Sequence, residues 1–151
     1  MAQEMEQEKS TQIQNRLKRY IQILNNIEDN QDKFLWIMDF GKNSRAMDEN
    51  HKVKSFEVPG CQSQTWLVPH FIEDKIYFTA DSAALISKGM VCIIADVYSG
   101  SSAQEIREFD QKEFDKMDLS ALLTPGRNNG VHSMLKKVKF YAKKEDNKVA
   151  V

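Results

Sequence analysis

The 151-residue sequence has little of what would commit it to several common chemistries. It carries two cysteines, Cys61 and Cys92, too few for the disulfide framework of a small secreted domain. A zinc centre needs four ligands, usually in close pairs, and neither CxxC nor HxxxH occurs. Charge of one sign is lacking too. Its 21 Lys and Arg against 22 Asp and Glu leave a formal net charge of -1, which exerts no general pull on nucleic acid or an anionic membrane. No apolar run approaches the roughly 18 residues of a spanning helix; the longest is Met90 to Ala95. The N-terminal MAQEMEQEKS has neither the basic start and apolar run of a secretory signal nor the acid-poor character of a transit peptide. The expected location is therefore cytoplasmic, with no nucleic acid and no membrane as partner.

Familiar catalytic motifs are also missing. There is no GxGxxG, no phosphate loop of the GxxxxGK[ST] form, no GxSxG elbow and no HExxH. The acids Glu105, Glu108, Asp110, Glu113 and Asp115 read as solvated helix faces and caps. The lysines near the C-terminus read as a solvated helical face, since no aromatic-rich nucleic-acid signature accompanies them.

What is present is an ordinary globular composition, 41% hydrophobic and 28% charged, at a length suited to one domain. Residues 1–10 lack an apolar period and are expected to fray; 11–144 should form the domain, with 145–151 as a tail. Ile13, Leu17, Tyr20, Ile21, Leu24 and Ile27 recur at helical spacing and predict a helix over Gln12 to Ile27. Phe34 to Met38 predicts a second, closed by Gly41 in the left-handed conformation, and 42–52 a loop. Residues 53–58, Gln64 to Phe71 and Lys75 to Thr79 read as three antiparallel strands, with Glu73-Asp74 turning the last pair. Asp81-Ser82 is positioned to cap a buried helix from Leu85 to Val97 that Gly100 ends. Ser102 with Glu105 makes a capping box, and Asp110 with Glu113 opens a further short helix. Leu122 to Gly130 reads as a loop. Val131, Met134, Leu135, Val138 and Tyr141 are the stripe of a last helix. The expected class is α+β, a short three-stranded antiparallel sheet packed by flanking helices.

The two thiols differ in setting. Cys92 lies within Met90-Val91-Cys92-Ile93-Ile94, where apolar surroundings raise a thiol's pKa and deny access. Cys61 follows Pro59-Gly60 and precedes Gln62-Ser63-Gln64, between two strand-like runs, so it falls at or near a loop tip. A reactive thiol must ionise, because the thiolate is the nucleophile, and loop N–H groups with nearby hydroxyls and amides can help. A structural turn cysteine is the plainer reading from spacing alone. A Cys–His enzyme needs an oriented histidine, and nothing ties His51, His70 or His132 to Cys61; each reads first as a surface or half-buried residue.

The run Val58-Pro59-Gly60-Cys61-Gln62-Ser63-Gln64-Thr65-Trp66-Leu67 resembles the signature of the SufE/CsdE family of sulfur acceptors, V-x-G-C-Q-S-Q-V-W. Asp81-Ser82 leading to Ile86 and Gly89, Tyr98-Ser99-Gly100 with Glu105-Ile106, and Leu123-Thr124-Pro125-Gly126-Arg127 leading to Asn129-Gly130 and Met134 keep that family's order. The resemblance runs from about Ile13 to Ala142. Departures are Ala83-Ala84 where the family has D-A, Thr65 where it has Val, Gly126 where it has Ser, and KNSRAMDEN over 42–50 where an L-P segment is usual. The resemblance implies a SufE/IscU-like fold and a sulfur carrier. A pyridoxal-phosphate (PLP)-dependent cysteine desulfurase of SufS or CsdA type would pass persulfide sulfur to Cys61, be stimulated by its removal, and an iron–sulfur scaffold would receive it. Gly60, Gln62 and Ser63 would shape the loop, and Arg127 would contact the partner or stabilise the anion. The chain itself would bind neither PLP nor a metal. Two other expectations stand beside this: a cysteine-dependent sulfurtransferase or hydrolase acting alone, and an adaptor that activates a desulfurase without carrying sulfur.

Overall fold

Apolar residues at helical spacing account for the first layer of the fold. In the computed structural model, which describes residues 2–119 and 121–149 and the side chains of 12–119 and 121–144, α1 (Ala2–Asn25) buries Ile13, Leu17, Tyr20 and Leu24 on one face. Residues 2–10 are helical backbone continuous with that period, and residues 145–149 likewise continue the last helix; residues 1, 150 and 151 lie outside the described residues. Helix α2 (Asn30–Lys42) starts at Asp29, whose carboxylate accepts the Gln31 and Asp32 N–H groups at 2.7 and 3.2 Å, as an N-cap does.

Gly41 does not close α2. It lies inside the helix, which ends at Asn43 in the right-handed conformation. Its use is proximity. A Cβ on Gly41 would stand 2.7 Å from the Gly89 nitrogen, and one on Gly89 would stand 2.1 Å from the Ile37 carbonyl oxygen. Helix α2 therefore meets α3 (Leu85–Tyr98) backbone against backbone. Helix α3 is the centre of the core, with ten buried residues from Ile86 to Tyr98, Cys92 among them.

The sheet has two strands, not three. β1 (Thr65–Ile72) and β2 (Lys75–Ser82) form an antiparallel hairpin, Thr65 opposite Ser82 and Ile72 opposite Lys75. Glu73-Asp74 makes the turn, with Glu73 in the left-handed region at φ 57°. The expected third strand forms a 3-10 turn at Lys54–Phe56 instead. All that survives of it is a single bridge from Glu57 to Trp66 and the Val58 N–H bond to the Thr65 carbonyl at 2.8 Å. The cause is its weak alternation: Val53, Lys54 and Ser55 are exposed, so strand pairing there would bury no apolar face. The hairpin's inner face, with Leu67, Ile76, Phe78 and Ala80, joins the main core. Its outer face holds Trp66 and Val68, which pack with Met47 and Phe56 of the preceding segment as a separate small cluster.

Asp81 and Ser82 end β2 rather than capping α3, whose N-cap is Ala84 with no side-chain acceptor. The Asp81 carboxylate accepts the Ser82 N–H at 2.8 Å and pairs with Lys52 at 3.2 Å and Lys88 at 3.5 Å. Gly100, at φ 80°, follows the end of α3. The capping box is present in both halves at α4 (Ala103–Glu108), at 3.0 and 3.1 Å. Asp110 caps a 3-10 stretch, Gln111–Met117, through the Lys112 N–H. The expected loop over 122–130 is shorter, because α5 (Pro125–Val149) begins within it. The Thr124 hydroxyl accepts the Arg127 N–H at 3.3 Å, and Pro125 takes the first helical position, where its missing N–H costs nothing. Helix α5 buries Met134, Leu135, Val138 and Tyr141, and the Tyr141 hydroxyl donates to the Leu67 carbonyl at 2.7 Å. Among the described residues no helix is long and apolar enough to cross a membrane.

Two outcomes follow from these contacts. Gly89→Ala should lower the unfolding free energy read by urea denaturation by a net ~2 kcal/mol, since overpacking outweighs the gain in helix propensity. Burial pushes the Asp81 carboxyl up, but the Ser82 N–H and the Lys52 and Lys88 ammoniums more than offset this and hold it below its ordinary value. Its contribution is thus present above the unfolded carboxyl pKa of about 3.9 and is lost as pH falls through the lower folded value. Asp81→Asn should destabilise at neutral pH and flatten the loss of stability below about pH 4, as read by denaturation at a series of pH values.

Candidate functional site: the Cys61 loop on helix α5

Pro59 to Gln64 form a six-residue loop closed at both ends by hydrogen bonds. At its base the Val58 N–H bonds to the Thr65 carbonyl. At its exit the buried Thr65 hydroxyl meets Ser82 Oγ at 3.0 Å and donates to the Ser63 carbonyl at 3.0 Å. Ser82 Oγ in turn donates to the Gln64 carbonyl at 3.0 Å, and the Gln64 amide donates to Glu57 at 2.8 Å. The end of the hairpin therefore holds the loop at fixed points while its middle stays at the surface, with Gly60, Gln62 and Gln64 exposed and Cys61 half-buried.

The middle of the loop rests on α5. The Cys61 Sγ lies 3.7 Å from the Gly130 carbonyl oxygen and donates to it. A Cβ on Gly130 would stand 3.5 Å from that sulfur, and one on Gly126 would stand 2.2 Å from the Gln62 amide nitrogen. Gly60, at φ 87°, is equally constrained: a Cβ there would be 2.7 Å from Ser133 Oγ. Residues 126, 130 and 133 share one helical face. The first turns of α5 thus carry a shallow groove made by missing side chains, and Gly60, Cys61 and Gln62 fill it.

Burial pushes the Cys61 thiol above its ordinary pKa, and the Thr65 hydroxyl opposes the shift in part. In the seated position the group is mostly a neutral thiol at pH 7. Cys92 is also pushed up by burial, but it lies 6% exposed inside α3, with its Sγ 3.7 Å from the Ala80 carbonyl. The contrast expected between the two thiols is therefore one of access and tether: one sits on a surface loop, the other within a helix.

Of the residues singled out from sequence, Gly60, Cys61 and Gln62 come together on α5, and Ser63 supplies a carbonyl to Thr65. Arg127 sits one residue beyond Gly126, and its guanidinium donates to Ser87 Oγ at 3.1 Å, tying the first turn of α5 to that of α3. None of the hydrogen bonds of Cys61 among the described residues goes to a histidine: His132 is exposed on α5, while His51 and His70 face each other, ring centres 5.9 Å apart. Sequence reasoning missed Gly126, Gly130, Ser133 and the Thr65–Ser82 clasp. The spacing of the two glycines, four apart, is a visible signal, but the turn-like Pro125-Gly126 makes 122–130 read as loop.

The geometry is that of a half-exposed thiol on a short tethered loop, set against the start of a helix in an α+β frame. Residues 18–142 match the family described as SufE, Fe-S metabolism associated domain, and the chain belongs to that family. It is 35% identical over 122 residues to an uncharacterized SufE-like protein of Rhizobium etli, covering 78% of this chain and 82% of that one. It is 32% identical over 126 residues to the cysteine desulfuration protein SufE of Wigglesworthia glossinidia brevipalpis, covering 82% and 88%. The solution structure of a hypothetical protein from Thermus thermophilus shares the fold, with a TM-score of 0.70 at 14% identity over 85% of this chain and 94% of that one.

Alkylation of native protein by iodoacetamide should titrate with a midpoint above the ordinary thiol value of about 8.5, since the seated Cys61 resists ionisation. Gly126→Ala should displace the Gln62 amide, lower that midpoint and speed alkylation at pH 7, with little change in the urea midpoint. An unchanged rate would mean the groove does not restrain the thiol.

Proposed function

We propose that the chain is a sulfur acceptor and carrier whose working atom is the Cys61 sulfur. The observation that carries this reading is the placement of that thiol on a hydrogen-bonded surface loop of a SufE-family fold while Cys92 is enclosed in the core. The Wigglesworthia relative's description as a cysteine desulfuration protein supports the same direction.

The donor is a PLP-dependent cysteine desulfurase of SufS or CsdA type that holds a persulfide on its own cysteine. Leaving the α5 groove returns Cys61 to water and removes the burial that holds its pKa up, which raises the thiolate fraction to that of a free thiol, a few per cent at about pH 7. The Cys61 thiolate attacks the outer sulfur of the donor persulfide. A new S–S bond forms at Cys61, the donor's S–S bond breaks, and its electron pair leaves on the donor thiolate. Atoms and charge balance without an added oxidant or reductant. The desulfurase is freed for another turnover, which is the stimulation, and the Cys61 persulfide passes to a scaffold for iron–sulfur cluster assembly in the cytoplasm. Gly60 permits the loop conformation, Gln62 and Ser63 hold it, and Arg127, which follows Gly126 in the chain, contacts the partner or stabilises the anion.

Mixing with desulfurase and free cysteine should add about 32 Da per sulfur to the intact mass, as expected of a reversible thiol cap. Cys61→Ser should abolish both that gain and the stimulation, and Cys92→Ser should keep both. Stimulation without Cys61 would point to an adaptor, and turnover of thiosulfate or an ester with no desulfurase present would point to a free-standing cysteine enzyme.

A further inference from the structure

A cleft of about 710 Å³ opens between the segment that follows α2, the hairpin and α3. None of its lining residues belongs to the Cys61 loop or to α5. Its volume is that of a small-molecule site. Phe40, Met47, Ile72, Tyr77 and Phe78 give it broad apolar walls, and Arg45, His51 and His70 bring nitrogen donors to it. Part of its rim, Ser44 to Asp48, belongs to the stretch where the sequence departs from the family pattern.

The charges in the cleft are unequally satisfied. The Asp48 carboxylate accepts the Asn50 N–H at 3.0 Å, and the Asp96 carboxylate accepts the Tyr20 hydroxyl. Arg45 has no hydrogen bond or ion pair among the described residues. His70 shares one ring nitrogen with the Thr79 hydroxyl at 3.0 Å, which leaves the other for a ligand. Burial, His51 and Arg45 together hold the His70 imidazole below its ordinary pKa, so at neutral pH it serves as a hydrogen-bonding group rather than a second cation. An uncommitted guanidinium beside a largely apolar wall is complementary to a molecule with one anionic end and one greasy end.

We propose that this cleft binds a small amphipathic anion, its carboxylate on Arg45 and the imidazoles and its apolar body between Phe40, Met47 and Tyr77. The site is separate from the sulfur-accepting loop, and its test needs no desulfurase, so either reading can fail alone. The probe is 8-anilinonaphthalene-1-sulfonate, followed by fluorescence, with decanoate and decan-1-ol as competitors. Binding at one site per chain is expected, with decanoate displacing the probe and decan-1-ol at least about tenfold weaker, because the alcohol lacks the charge-assisted bond. Arg45→Gln, an exposed position, should weaken probe and decanoate binding about tenfold without changing the urea midpoint. Amide shifts on adding decanoate should centre on Arg45, His70, Thr79 and Cys92. Equal competition by acid and alcohol, unchanged binding in Arg45→Gln, or shifts centred elsewhere would each overturn the assignment.

Discussion

The contact on which the site depends is between a loop and bare helix backbone. Residues 60–62 rest where Gly126 and Gly130 present no side chains and Ser133 presents a small one. The helical phase that brings these three positions to one face also buries Met134, Leu135, Val138 and Tyr141 on another. Packing the stripe against the core therefore fixes which way the groove faces, and the Tyr141 bond to Leu67 sets α5 against the strand that leads out of the loop. A core constraint and a surface contact are coupled through one helix.

The two cysteines show why burial alone says little about a thiol's use. Both are pushed towards the neutral form by desolvation. Cys92 lies at the floor of the cleft but is carried by α3 itself, so moving it outward means breaking the core. For Cys61 the surrounding atoms belong to the surface of α5 and to a loop held only at its ends. The first cost approaches global unfolding, and the second is a local opening.

Much of this was legible in the sequence. The helical periods of α1, α3 and α5, the Glu73-Asp74 turn and the Ser102–Glu105 box all appear where local pattern placed them, because each rests on residues a few positions apart. The failures share a different cause. Gly41 reads as a helix end and Gly126 and Gly130 as loop, since a glycine's local signal is conformational freedom; their use here is close approach to Gly89, Gln62 and Cys61, which are distant in sequence. Asp81-Ser82 looks like a cap but is claimed by Lys52, Lys88 and the Cys61 loop. The third strand is reduced to a single bridge because Val53, Lys54 and Ser55 stay exposed and only Phe56 and Val58 pack inward, and Thr124-Pro125, a helix start, is hidden by the turn-like Pro-Gly pair. Cys61 was legible as a loop thiol; the groove beneath it was not.

The closure of the Cys61 loop at Val58 and Thr65 also sets a leash. The sulfur-bearing position is three steps along the chain from the first anchor and four from the second. A fully stretched chain spans at most about 3.5 Å per residue, so the Cys61 backbone can travel no farther than about 10 Å from the end of the hairpin while both anchors hold. Any group that exchanges atoms with this thiol has to be presented within that radius. A deeply recessed donor would be out of reach unless the end of the hairpin entered the recess as well.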